Sequence, residues 1–252
     1  MAKLTHVPFF RWLVKKMVFD KNDVTILTKD SAVEIALNKK MVPPESIVVP
    51  SAIVKHFIDK TNYCFIMDFC LCRQAMQCNN YPIDLGCLFM GEAAKKIPKE
   101  FGRSVSKKQA LEHIELCREA GLVHLIGRDT LDEVWLGVGS KIPLLTICHC
   151  CSCCCLWKML SSLDETLSST VKKMPGVEIL INEQCTGCGK CVDDICFINA
   201  ITISQGAAQI SGRCVGCGRC VESCPHHAIE IVFTDDDFIK KTIQRIEHVI
   251  CQ

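Results

Sequence analysis

The sequence predicts an α/β (or α+β) N-terminal domain rich in cysteine over residues 1–175, then a small α+β domain over 176–235 and a C-terminal helix over 236–252. Three observations predict this. Apolar runs of strand length alternate with stretches of helical period through the first 175 residues. A cysteine-bearing repeat begins after them, each copy flanked by short strand-like runs. Pro175–Gly176 stands between the two parts, and such a pair interrupts helix and strand alike.

The elements follow in order. Phe9–Phe19 carries Phe10, Trp12, Leu13 and Met17 beside Arg11, Lys15 and Lys16. This is an amphipathic helix that docks on its own domain or on a partner subunit, or makes peripheral contact with a membrane surface through residues 9–19. "VTILT" (24–28) is a strand and "SAVEIALNKK" (31–40) a helix entered after Asp30. "SIVVP" (46–50) is a short strand, "SAIVKHFIDK" (51–60) a helix, and "YCFIMDF" (63–69) a strand running into Cys70. "DLGCLFMGEAAKKI" (84–97) predicts a helix stopped by Pro98. In "SVSKKQALEHIELCREAG", Ser106 and Gln109 form a capping box and Gly121 fits the C′ position. "LVHLI" and "EVWLGV" (133–138) read as a hairpin pair. "PLLTI" (143–147) is a strand running into Cys148, and "LWKMLSSLDETLSSTVKKM" (156–174) is one helix.

Composition narrows the function. The net charge is +1, the basic residues are scattered, and few aromatics accompany them, which argues against a nucleic-acid groove. The one alternative is a winged-helix reading of the capped helix and "GLVHLI", which lacks a basic recognition helix. No apolar run reaches the ~20 residues of a spanning helix. The first residues interrupt every apolar stretch with Arg or Lys, so no secretory h-region is expected. With 21 cysteines and no such signal, a cytoplasmic chain that binds metal is expected, rather than a disulfide scaffold.

The repeat is the most specific signal. In "EQCTGCGKCVDDICF" and "GRCVGCGRCVESCP", Cys185, Cys188 and Cys191 recur 29 residues later as Cys214, Cys217 and Cys220. A fourth cysteine follows in each copy, Cys196 and Cys224. The segment resembles the bacterial two-cluster [4Fe–4S] ferredoxin. A loop with ligands every third residue can wrap three corners of a cubane, and in that family the fourth thiolate comes from the other repeat. The resemblance implies two clusters, one on Cys185, Cys188, Cys191 and Cys224, the other on Cys214, Cys217, Cys220 and Cys196. It also places Gly187, Gly189, Gly216 and Gly218 between ligands, where they allow φ > 0 and bring N–H groups to sulfur. The first copy departs from the pattern. It has one extra residue before Cys196, so that loop must bulge, and Phe197 replaces the proline. Four-thiolate zinc is the alternative for these sites. His226 and His227 read as loop residues.

Two N-terminal strands also end in cysteines. One loop brings Cys70, Cys72, Cys78 and Cys87; the other, "CHCCSCCC", brings Cys148, Cys150, Cys151, Cys153, Cys154 and Cys155. Ligand sites gather at strand ends in open sheets, and if the two strands are neighbours the loops face one another. Adjacent cysteines on an extended segment point to opposite sides, so the six thiols of the second loop are expected to divide between sites. One or two further iron–sulfur clusters are expected here. The paired cysteines resemble those in the cysteine-rich domains of heterodisulfide-reductase-like subunits, which implies a non-cubane cluster as one option. A zinc-binding or redox-sensing thiol cluster, or unliganded cysteines, are the alternatives. Cys64, Cys117 and Cys251 are expected not to be ligands. His149 reads as a bystander, and Arg73 either offsets thiolate charge or sits at the surface.

Neither a GxGxxG after a strand nor a Walker-type loop occurs, so no nucleotide or flavin site is expected. Two functions remain. One is an electron-transfer protein or subunit serving a partner oxidoreductase or flavoprotein in an anaerobic or microaerobic cytoplasm. The other is a reductase whose N-terminal cluster is the catalytic site; Asp68, His124 and His149 are its polar candidates. A redox sensor or assembly factor is a third, more remote reading.

Overall fold

A computed structural model describes residues 5–19, 21–39, 50–139 and 141–250. Residues 46–49 of the expected strand and Cys251 lie outside them. Seven strands build one mixed sheet: β1 (Asp23–Ile26), β2 (Cys64–Met67), β3 (Leu88–Met90), β4 (Gly102–Val105), β5 (Val123–Arg128), β6 (Leu145–Cys150) and β7 (Val171–Lys173). Their order is β4-β2-β3-β6-β5-β1-β7. Every neighbouring pair is antiparallel except β1 and β7. The helices are α1 (Pro8–Val14), α2 (Asp30–Lys39), α3 (Ser51–Lys60), α4 (Leu71–Ala75), α5 (Lys107–Glu119), α6 (Thr130–Trp135), α7 (Glu165–Ser168), α8 (Arg219–Ser223) and α9 (Phe238–Ile250).

The period of two along each strand divides the interior. Cys64 and Ile66 of β2, Leu88 and Met90 of β3, and Leu145 and Ile147 of β6 enter one core, together with Phe57 of α3 and Ile114 of α5. Phe65, Met67 and Phe89 enter another, with Leu136 and Leu144. In the C-terminal part, β8 (Val177–Ile181) pairs with β11 (Ile229–Phe233), and β9 (Ile201–Ser204) with β10 (Ala207–Ile210), both antiparallel. Its apolar residues Val221, Ile229 and Ile231 join the same core as α3 and α5, so one core runs across residue 175. Helix α9 returns to pack on β5, β1 and α3, tied by Arg245 to Asp23 at 2.6 Å and by Glu247 to Lys60 at 2.6 Å.

The expected helix α5 carries its capping box: Gln109 N–H donates to Ser106 Oγ at 3.2 Å, and Ser106 N–H donates back to Gln109 Oε1 at 3.0 Å. Gly121 takes φ +74° just beyond it. The strand after this helix, β5, lies inside the sheet between β6 and β1, which is not the position of a wing.

Three expected elements are corrected. Residues 84–97 hold β3 and a 3₁₀ turn at Ala93–Lys96, not a helix. A Cβ on Gly86 would meet the Met67 carbonyl oxygen at 2.2 Å, so this segment lies flat on β2. Gly91, at φ +87°, then breaks the path. A three-residue strand has no readable period, and its apolar run looked helical. Residues 133–138 belong to α6 and the turn after it. The Asp129 carboxylate caps α6 by accepting from Leu131 N–H at 3.0 Å, and Glu133 forms a buried bidentate pair with Arg128 at 2.7 and 2.9 Å. Residues 156–174 split into a 3₁₀ stretch (Leu156–Ser162), α7 and β7. Asp164 starts α7 afresh by accepting from Thr166 N–H at 3.0 Å, and Val171 leaves it to pair with Val24 at the sheet edge.

Among the described residues no helix is long and apolar enough to cross a membrane. Helix α1 leaves Phe9 and Trp12 exposed and anchors Arg11 to Asp164 at 3.1 Å; the π-helical turn after it, Lys15–Phe19, exposes Met17 and buries Phe19.

Candidate metal centres

The C-terminal cysteines converge as two quartets. One cavity is lined by Cys185, Cys188, Cys191 and Cys224, with Gly187 and Gly189. A second is lined by Cys196, Cys214, Cys217 and Cys220, with Gly216 and Gly218. All four glycines take positive φ, between +66° and +83°. Gly187 is also short of space: its Cβ would meet the Gly206 carbonyl oxygen at 2.4 Å. Backbone donors point at the sulfurs. Ala200 N–H donates to Cys196 Sγ at 3.2 Å and Ala228 N–H to Cys224 Sγ at 3.3 Å, four residues on in each repeat. Ala208 N–H donates to Cys185 Sγ at 3.3 Å.

The repeats differ where the spacing differs. The second runs through α8 into Cys224. The first has turns instead, and Asp194 takes φ +54° to absorb the extra residue. Phe197 is buried among Ile198 and Val215. His226 and His227 are exposed. The first cavity faces solvent at Cys188, and the second faces the N-terminal part. Thr28 Oγ1 donates to Gly216 O at 2.8 Å, Lys29 N–H to Cys217 O at 3.0 Å, and Arg219 reaches Cys150 O and Tyr81 Oη. Burial pushes the Cys217 thiol up to about 11.

The N-terminal loops also meet. Strands β2 and β6 are not neighbours, because β3 lies between them. Each is antiparallel to β3, so both end at the same edge of the sheet. The second loop is strand as far as Cys150 and turn beyond it. Cys148 and Cys150, two apart on β6, share a face. They line a cavity of about 180 Å³ with Cys70, Cys72, Cys87 and Cys155, walled further by Leu71, Trp135 and Trp157. Leu88 stands opposite Ile147, which brings Cys87 Sγ within 3.7 Å of Cys148 Sγ. The turn sends the remaining thiols elsewhere. Cys78, Cys151, Cys153 and Cys154 form a separate group whose sulfurs all lie within 4.8 Å of one another.

All 20 described cysteines are free thiols. So dense a set carries its own electrostatics. The Cys155 thiol and burial push Cys150 well up; the Cys87 thiol and burial do the same to Cys148. The Cys72 thiol holds Cys70 down, to about 6. Crowded thiols resist ionisation until a cation supplies the compensating charge, and metal binding supplies it. The donor set is soft and all-sulfur, which fits iron–sulfur or zinc chemistry and no hard cation.

Arg73 is fully buried, so its surface reading is overturned. Its guanidinium donates to the carbonyls of Pro82 and His149, each at 2.7 Å, and of Leu85. It thereby pins the Cys78 loop to β6, among the thiols of Cys70, Cys151 and Cys87. His149 points to the opposite face of β6. There its Nδ1 lies 2.9 Å from Nδ1 of His124, its partner across the ladder, and its ring meets that of His113 edge-on. Burial holds all three imidazoles below their usual range, His124 at about 4. Cys117 is fully buried beside them, with its sulfur 3.7 Å from His113 Nε2. Cys64 is buried in β2.

Of the polar candidates, Asp68 is exposed and paired with Arg103, away from the cavity. Two carboxylates missed from the sequence, Asp129 and Asp132, line the cavity instead. Burial raises both, Asp129 to about 6. They went unseen because 133–138 read as a strand; the N-cap signal in "RDTLDE" marked α6.

Residues 209–230 match the family model of the 4Fe-4S binding domain, which spans Cys214, Cys217, Cys220 and Cys224. The C-terminal part therefore contains a ferredoxin-type iron–sulfur domain. No curated protein and no solved structure matches the chain.

Proposed function

We propose that this chain is an iron–sulfur electron-transfer protein or subunit with clusters in a row. Cys185, Cys188, Cys191 and Cys224 hold an outer [4Fe–4S] cluster, and Cys196, Cys214, Cys217 and Cys220 hold an inner one. A further cluster is held in the N-terminal cavity by ligands drawn from Cys70, Cys72, Cys87, Cys148, Cys150 and Cys155. When bound, each cluster takes up and releases an electron. The residues of the chain set where and at what potential. Ala200, Ala208 and Ala228 offer N–H groups to sulfur, which stabilise the reduced, more negative state. Arg73 offers a buried positive charge to the cavity thiols.

One observation carries this reading. Arg219, adjacent to Cys220 on α8, is buried and donates to the Cys150 carbonyl, so the inner quartet abuts the N-terminal thiols. The exposed Cys188 marks the opposite end, where a partner oxidoreductase or flavoprotein would exchange electrons. The exposed apolar side of α1 is the surface for a partner subunit or a membrane.

The test is an iron and sulfide count with EPR on anaerobically prepared full-length protein. About 8 iron and 8 sulfide belong to the two ferredoxin cubanes. Sulfide beyond that, lost in Cys72→Ser and retained in Cys217→Ser, supports the row. Sulfide that stops at about 8 removes the N-terminal cluster.

A second reading is favoured by Asp129 and Asp132. Two carboxyl groups on the wall of a largely apolar cavity, beside thiols, suit a reductase that protonates a small substrate there. Small molecules that alter the EPR signal of the N-terminal cluster, and lose that effect in Asp132→Asn, would favour it over a plain wire.

A further inference from the structure

We propose that Cys78, Cys151, Cys153 and Cys154 hold one mononuclear metal ion of the tetrathiolate class, zinc or iron, separate from the iron–sulfur cavity. The spacing of the sulfurs argues for it. A metal–sulfur distance of about 2.3 Å places the sulfurs of a tetrahedral site about 3.8 Å apart. Cys78 Sγ and Cys153 Sγ are 3.6 Å apart, Cys153 Sγ and Cys154 Sγ 3.5 Å, and all four sulfurs lie within 4.8 Å of one another. A cubane needs more room, because its iron–sulfide core stands between the thiolates. Among the described residues neither ferredoxin quartet is gathered this closely.

The backbone is built for such an ion. Cys151 and Cys154 have the C-x-x-C spacing of tetrahedral sulfur sites. The turn at 152–154 lets adjacent Cys153 and Cys154 aim at one point, which an extended segment forbids. Cys154 N–H donates to Cys151 Sγ at 3.2 Å. Cys78 and Cys151 are buried, and Cys153 and Cys154 are half-buried. The ion would join the loop between β2 and β3 to the turn after β6, stapling the two segments that close over the cavity. Cys151 also lines that cavity, so the staple would fix one of its walls.

The test uses the full chain, purified anaerobically, with iron, zinc and acid-labile sulfide counted together. The expected result is one zinc or iron ion per chain beyond the iron matched by sulfide. Where that ion is zinc, X-ray absorption at the zinc edge should show four sulfurs at about 2.3 Å and no neighbouring metal. Cys78→Ser should lose that one ion and leave sulfide unchanged, with the ferredoxin EPR signals reporting that the variant folds. Cys72→Ser should lose sulfide and leave the ion. The proposal is overturned if the wild-type chain holds no ion beyond the sulfide-matched iron, or if Cys78→Ser lowers iron and sulfide together. It stands apart from the cluster reading: absence of N-terminal sulfide sinks that reading without touching the ion count.

Discussion

The two cysteine-rich regions reach similar ligand density by opposite routes. In the ferredoxin part, three sulfurs of each quartet come from one loop of seven residues, and glycines at positive φ shape that loop. In the N-terminal part, the sulfurs arrive on two loops separated by about sixty residues, and β3 must intervene before they meet. The first route is local, so it tolerates changes elsewhere in the fold. The second depends on strand register, because a one-residue slip of β6 would move Cys148 and Cys150 to the other face.

The largest expected effect probes the local route. Cys220→Ser should cost about 4 iron and 4 sulfide per chain, with the N-terminal complement intact. A loss that extends to the N-terminal sulfide would show that the two regions assemble as one unit.

Next comes the tertiary route. Arg73→Met removes a buried cation and strands three carbonyls that it serves. A loss on the order of 3 kcal/mol is expected from urea unfolding of anaerobic protein. A shift under 1 kcal/mol would mean that β3 and β6 hold the loops without the clamp.

The third effect is on pH dependence. His124, buried on β5, has its pKa lowered from 6.5 to about 4. The unfolded chain therefore binds more protons below pH 6.5, and stability is lost as pH falls from there toward 4. Between pH 7 and 5 this group should account for about 2 kcal/mol. His124→Phe should flatten that slope, whereas an unchanged slope would assign it to other groups.

The smallest effect compares two glycines of the ferredoxin loops. Gly189→Ala, at φ +79° with no neighbour in reach, should cost about 1 kcal/mol of strain. Gly218→Ala should cost more, because its Cβ would meet Ala32 Cβ at 2.7 Å, where the inner quartet docks on the N-terminal part. Equal thermal shifts for the two would deny that this junction is tight.

Much of the site was legible in one dimension. The three cysteines of each loop, the glycines between them and the bulge before Cys196 could be read from spacing, and the exchange of Cys196 and Cys224 between the repeats is what the ferredoxin resemblance implied. The capping box of α5 could be read from Ser106 and Gln109. Short strands could not: β3 and β7 have three residues each, too few to show a period. A strand over 133–138 leaves Asp129 and Asp132 in the connection before it and hides the helix start that sets both on the cavity wall. Arg73 was ambiguous because burial is not written beside a residue.

By itself, then, the sequence determined that this chain gathers soft sulfur ligands, and it determined the membership of the ferredoxin loops, since ligands three residues apart are neighbours in any fold that turns tightly. Only the tertiary structure decided how the run from Cys148 to Cys155 divides. The β ladder extends to Cys150 and stops there. Cys148 and Cys150 on the strand therefore face a cavity with Cys70, Cys72 and Cys87, joined by Cys155 from beyond the turn, while Cys151, Cys153 and Cys154 close around Cys78. Which sulfur meets which partner depends on hydrogen-bond register across strands distant in the chain, and spacing along the chain carries no record of that register.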